Sequence, residues 1–127
     1  MPTVLAICIG ASLGALARWQ LSEWLNTSEA WLPWGTLAAN LLGGYLVGVV
    51  IALLQQHPDI SPLWRLFWIT GVLGALTTFS SFSAEVVGML SAQRWLQAFA
   101  TMGLHLGGSL LMTVAGLRTV FWVASTP

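Results

Sequence analysis

Thr77-Thr78-Phe79-Ser80-Ser81-Phe82-Ser83 lies inside a long hydrophobic segment, yet five of its seven residues carry hydroxyls and the other two are phenylalanine. It follows Thr70-Gly71-Val72-Leu73-Gly74-Ala75-Leu76 and runs into Ala84-Glu85. Glycine, threonine and serine all rank low as helix formers, and serine competes for the backbone's own hydrogen bonds. The surrounding segment, from about 63 to 90, exceeds the roughly 20 apolar residues that cross a bilayer. The expectation is therefore a membrane helix broken at depth. Unwound backbone survives there only when buried in protein or facing water. Freed carbonyls suit a cation, and freed amides suit an anion.

The rest of the chain supports a membrane setting. Of its 127 residues, 57% are hydrophobic and only 6% are charged, against roughly a quarter charged in an average soluble domain. There are four arginines, no lysine and four acids, so the formal net charge is zero. That balance argues against nucleic-acid binding, which needs a basic face. Eight tryptophans suit a protein with two membrane–water interfaces. The lone cysteine, Cys8, reads as a small apolar-environment residue rather than a reactive thiol. An apolar run, Ile9 to Ala17, resembles a signal sequence, but its positive charge, Arg18, follows rather than precedes it, which argues against cleavage.

Four spans are expected, at about 4–25, 34–54, 63–90 and 95–123, forming a single domain over 1–127. The loops hold Asn26 to Pro33, Gln55 to Pro62 and Ser91 to Arg94. With a cytoplasmic amino end, Arg65 and Arg118 fall inside while Arg94 and Arg18 fall outside. The positive-inside rule then gives almost no instruction. Either helix packing rescues a weak topology, or the chain inserts both ways. Four short helices cannot easily enclose a polar path, so an oligomer is expected. If copies insert oppositely, the symmetry axis lies in the membrane plane.

Small residues repeat at four-residue spacing: Gly10 and Gly14 with Arg18, then Asn40, Gly44 and Gly48, then Gly103 and Gly107. Such rows let helix backbones approach closely. Asn40 on a glycine-lined face either bonds across an interface or meets a permeant species. His105, Ser109 and Thr113 form a polar stripe on the fourth span. Each hydroxyl alone is explained by a bond to the carbonyl four residues earlier; a stripe of three is less easily explained so. His105 lacks a second ligand at metal-binding spacing, and His57 falls in a loop.

Glu85 is the one carboxylate well inside a span, on a face with Thr78 and Ser81. An intramembrane acid is a functional candidate; the alternatives are an ion pair with Arg18 or a hydrogen-bonded acid near the interface. Phe79 and Phe82 share a face among hydroxyls. Aromatic ring edges are positive, so ring edges with hydroxyl and amide donors make a path friendly to an anion without a full positive charge.

These residues carry a resemblance to the Fluc (CrcB) fluoride channels, the bacterial fluoride exporters. It covers nearly the whole chain in order: Gly14-Ala15-Leu16-Ala17-Arg18-Trp19; Gly35-Thr36-Leu37 with Asn40-Leu41; Thr77 to Ser83 with Glu85; and Gly108-Ser109 with Thr113 and Gly116. The phenylalanine–serine run is the specific part. Ala75 stands where the family often has glycine, and Ser81 where threonine is common; neither removes a polar group.

The resemblance implies an all-α integral membrane protein of the bacterial plasma (inner) membrane, with four spans per subunit and a broken third helix. It implies an antiparallel, dual-topology homodimer with two pores. Phe79 and Phe82 would line the pores, with Asn40 as a donor and Ser80, Ser83, Ser109 and Thr113 on or near a polar track. Arg18, Glu85 and His105 would be vestibule or gating candidates. A structural Na+ at the dimer centre would be held by the main-chain carbonyls of Gly74 and Thr77 from both subunits. The partners implied are fluoride, a second copy and lipid.

Two other readings remain at this point. A proton-coupled small-molecule exporter, like the small multidrug resistance proteins, shares the size, but those rely on a carboxylate in the first span where this chain has Arg18. A non-transporting membrane scaffold is the other. An enzyme is not expected, since no nucleophile–base pair or metal cluster is evident.

Overall fold

The computed structural model describes residues 1–125. Among these, every regular element is helical. Helix α1 runs Pro2–Leu25 and α2 runs Trp34–Gln56. The third span, Pro62–Ser91, is divided into α3, residues 62–76, and α4, Phe79–Ser91. Helix α5 is the fourth span, Trp95–Ser125. All four spans are long and apolar enough to cross a membrane, and their ends fall within two residues of those expected from hydropathy. Tryptophans 24, 31, 34, 64, 68, 95 and 122 lie near span ends, and Trp24, Trp64 and Trp122 are among the exposed ones. An indole there has its apolar body in lipid and its N–H in the wet interface.

Two glycine seams set the packing. Helix α1 lies on α3, where a Cβ at Gly14 would collide with the Val72 carbonyl oxygen and one at Gly10 with the Phe67 carbonyl oxygen. Helix α2 lies on the second half of α5, where a Cβ at Gly48 would strike the Thr113 carbonyl oxygen and one at Gly116 the Tyr45 carbonyl oxygen. Without the usual hydrophobic drive between helices in lipid, backbone-close packing of this kind holds the bundle together. Gly103 and Gly107 depart from the expectation of close approach: nothing stands within 4 Å of a Cβ at either. Within the chain, the α5 seam is made by Gly116 instead.

Two small cores result. Ala39, Leu73 and Leu76 form one, at the junction of α2 and α3; Val86, Met89 and Ala98 form the other, between α4 and α5. Large apolar side chains elsewhere, such as Leu106, Leu110 and Leu111, point outward.

Two stretches depart from α geometry: Leu66–Leu73 in α3 and Leu104–Gly108 in α5 are π-helical. The wider turn re-aims the side chains it carries, and such turns recur at functional sites. The second one carries His105.

Candidate functional site

The break in the third span comprises Thr77 (φ −78°, ψ 154°) and Thr78 (φ −151°, ψ 119°), both extended. A break at membrane depth leaves polar backbone groups to be satisfied, and three devices do so. The Thr78 hydroxyl caps α4 by accepting from Ser81 N–H at 3.1 Å, as an N-cap threonine does. Asn40 on α2 clamps the Thr78 backbone through both the peptide before it and the peptide after it. Its Oδ1 accepts from Thr78 N–H at 2.7 Å, and its Nδ2 donates to the Thr78 carbonyl at 3.0 Å. Arg18 Nε donates to the Ala75 carbonyl at 2.9 Å. The Thr77 hydroxyl satisfies itself on the Leu73 carbonyl at 2.8 Å, which still receives Thr77 N–H.

These bonds release two carbonyls. In an uninterrupted helix, Gly74 O would receive Thr78 N–H and Thr77 O would receive Ser81 N–H. Thr78 N–H goes instead to Asn40, and Ser81 N–H to the Thr78 hydroxyl. Gly74 is also exposed on the surface of the chain. Gly74 O and Thr77 O thus lose their helical partners, as do Ala75 O, which Arg18 takes, and Leu76 O; carbonyl oxygen is the donor type that suits an alkali cation.

A groove of about 360 Å³ runs beside the break, lined by Asn40, Gly44, Thr77, Thr78, Phe79, Phe82, His105, Ser109 and Thr113 together with Val47, Leu106 and Leu110. The aromatic side is continuous. Phe79 and Phe82 have ring centroids 5.5 Å apart at 56°, and Phe82 lies over His105 at 4.7 Å and 31°. Phe79 is 80% exposed, so its ring has no wall behind it within the chain. His105, only 5% exposed, meets Asn40 Nδ2 through its Nδ1 at 2.9 Å.

The groove gathers Asn40, Phe79, Phe82, His105, Ser109 and Thr113, but Ser80 and Ser83 lie outside its lining. Ser80 approaches the Thr78 hydroxyl at 3.2 Å. Asn40 uses both amide protons within the chain, on Thr78 and His105. Thr113 shares its hydroxyl proton between the carbonyls of Gly44 and Ser109, at 3.0 and 2.9 Å. Of the polar stripe on α5, the Thr113 part therefore follows the back-bonding explanation.

Arg18 and Glu85 do not pair. Arg18 serves the break, whereas Glu85 Oε1 accepts from the Thr36 hydroxyl at 2.5 Å. Glu85 faces a second cavity of about 440 Å³, lined also by Asn26 to Ser28, Gly88 and Arg94. One face of α2 reaches residues of both: Thr36 holds Glu85, Asn40 one turn on holds His105, and Gly44 a turn further lines the groove. Glu85 Oε2 and His105 Nε2 are buried with no hydrogen-bond partner.

Thr36 enters the sequence reading only within Gly35-Thr36-Leu37, with no role of its own, although it is one of the most buried polar residues, 2% exposed. It accepts from Asn26 Nδ2 at 3.2 Å, while Asn26 Oδ1 accepts from Gly35 N–H at 2.7 Å. The available signal was its position four residues before Asn40 on α2.

The fold and the groove define a class: a small four-span helical membrane protein with a polar break and an aromatic-lined groove at membrane depth. Residues 5–117 match the family model described as CrcB-like protein, Camphor Resistance (CrcB), and the chain belongs to that family. It is 66% identical to the fluoride-specific ion channel FluC of Albidiferax ferrireducens over 119 residues, covering 94% of this chain and 91% of the relative. The FluC channels of Variovorax paradoxus and Paracidovorax citrulli are 60% and 56% identical, each covering more than nine-tenths of both chains.

Proposed function

We propose that this chain forms a fluoride-selective channel that passively exports cytoplasmic fluoride across the bacterial inner membrane. The observation that carries the reading is the groove at the break, where two phenylalanine rings, an imidazole and the Ser109 hydroxyl converge with no cation or carboxylate in the lining. The naming of relatives up to 66% identical as fluoride-specific channels supports it. Fluoride is small and strongly hydrated. Conduction needs binding strong enough for entry and weak enough for exit. Neutral donors and ring edges in series meet both demands, whereas a fixed guanidinium would hold the ion too tightly.

No ATP-binding motif is needed. Fluoride enters as its neutral acid and ionises in the less acidic cytoplasm, and the membrane potential then expels the anion. At about 2.3 kcal/mol per charge per 100 mV, internal fluoride at equilibrium falls roughly fifty-fold below external.

The working unit in this reading is an antiparallel, dual-topology homodimer. One chain leaves Phe79 outward-facing and the groove open on one side, which a second copy would close into a pore. Two copies related by a two-fold axis bring two pairs of Gly74 and Thr77 carbonyls together, four oxygens for a Na+ at the centre. The released carbonyls would hold such an ion by ion–dipole contact, which would give their lone pairs a partner.

Purified protein in liposomes decides the matter. Fluoride efflux, read with an electrode after a potassium ionophore sets the potential, is expected to be fast and to leave chloride retained. Absence of fluoride flux from a folded, monodisperse preparation overturns the reading, and flux that demands a proton gradient points to the coupled exporter instead.

A further inference from the structure

The Asn40 amide has a fixed orientation that no choice of hydrogen positions can reverse. Thr78 N–H can only donate, so the Asn40 atom it meets at 2.7 Å is the oxygen; the Thr78 carbonyl can only accept, so the atom it meets is the nitrogen. The Asn40 atom facing His105 is that same nitrogen, 2.9 Å from Nδ1. It presents a proton. His105 Nδ1 must therefore be a bare acceptor, and the imidazole's own proton must sit on Nε2.

We infer that His105 is a positioning residue for the ion path: as the neutral Nε2–H tautomer it accepts the second Asn40 amide proton and so braces, with a third bond, the orientation that the two bonds to Thr78 set. The inference rests on the proposed channel reading for what the break is for, but not for the tautomer itself. A rotated amide would set its oxygen against both the Thr78 carbonyl and His105 Nδ1, and its NH2 against Thr78 N–H. Every bond of the clamp would be lost together. The π-helical turn Leu104–Gly108 and the ring of Phe82 hold the imidazole in place for this contact. A buried stack alone would need only an aromatic ring; the 2.9 Å approach of a nitrogen to the amide marks a polar duty as well.

Two variants separate the duties. H105F keeps a ring against Phe82 and removes the acceptor. H105N removes the ring and offers an amide oxygen where Nδ1 stood. Leaving a buried donor unsatisfied is expected to cut fluoride flux about tenfold in H105F, while H105N, which also loses the ring from the groove, conducts about threefold better than H105F because its amide oxygen restores the acceptor. Flux in H105F equal to the parent, or an equal loss in both variants, overturns the acceptor role. The second measurement needs no flux: 15N NMR of imidazole-labelled H57Q protein in micelles at neutral pH, where His105 is the one imidazole observed. A pyridine-type Nδ1 and a pyrrole-type Nε2 are expected, and the reverse tautomer or an even mixture overturns the inference. Should the parent conduct no fluoride at all, the channel reading falls, while the NMR result still decides for or against the tautomer.

Discussion

At the scale of single residues, the site separates side chains that touch the open groove from side chains that build it. Phe79 and Phe82 illustrate the difference. Phe79 is exposed and packs on little beyond Phe82, whereas Phe82 packs against the Val86, Met89 and Ala98 cluster and lies over His105. Replacing either by isoleucine removes a polarised ring edge from the path. If that edge contributes about 1.4 kcal/mol to the barrier, flux falls about tenfold. The F79I protein is expected to keep its thermal stability, and F82I to lose some; tryptophan-fluorescence melts and liposome efflux on the same preparations check both, and undiminished flux in F79I would remove that ring from the pathway.

Thr36 belongs to the building class. Its hydroxyl sits between Asn26 and Glu85 in a fully enclosed position. T36V preserves shape and deletes both bonds, leaving a carboxylate oxygen that joins the already unpartnered Oε2. A buried group so stranded costs about 1–3 kcal/mol, visible as a lowered Tm. The conservative T36S is expected to recover most of it.

At the scale of elements, hydropathy and composition reveal the helices and the place of the break, because both depend on local residue content. Thr77 to Ser83 announces poor helix material inside a span whatever surrounds it. What pins the break does not show locally: Asn40 is 38 residues from Thr78, and Arg18 is 57 from Ala75. Arg18 reads naturally as a vestibule charge, yet one of its nitrogens is committed to a released carbonyl. Neither π-helical stretch has a composition that marks it. Glycine spacing shows that seams exist but not which face forms them. Gly48 and Gly107 test that distinction. A methyl at Gly48 meets the Thr113 backbone, and overpacking of this kind costs about 1–3 kcal/mol. G48A is expected to melt at lower temperature, while G107A, with nothing within 4 Å of the new methyl, keeps the fold of the chain; equal melting of the two would contradict the assigned seam. Loss of the α4 cap in T78A removes a bond typically worth about 1 kcal/mol and loosens the residue that Asn40 clamps.

At the scale of the whole molecule, the carbonyls of Gly74 and Thr77 and the arginine distribution lead to linked expectations. If four carbonyls at a two-fold axis coordinate Na+, exchanging it for a large organic cation is expected to lower the dimer's Tm and its fluoride flux together, and readdition to restore both. An unchanged Tm after exhaustive exchange would leave the released carbonyls without that role.

The two-fold axis must lie in the membrane plane for an antiparallel pair, which places a demand on insertion. Arg18 now counts for little in the orientation balance: it is half-buried and bonded to the Ala75 carbonyl rather than standing in a loop. That leaves Arg65 and Arg118 at one membrane face and Arg94 at the other, a difference of a single charge. Orientation bias of this size is small on the positive-inside rule, which responds to Lys and Arg within about 15–20 residues of span ends. Reporter fusions at the carboxyl end are expected to be active on both sides of the membrane. Lysines added to the loop between α2 and α3, which joins the Arg65 face, are expected to force the amino end inside; lysines added between α1 and α2 are expected to force it outside. Each biased form alone should then lose fluoride export, since no oppositely inserted partner is made, and co-expression of the two should restore it. Full export by either biased form on its own would show that parallel copies suffice, and the in-plane axis, with the four-carbonyl centre built on it, would have to be abandoned.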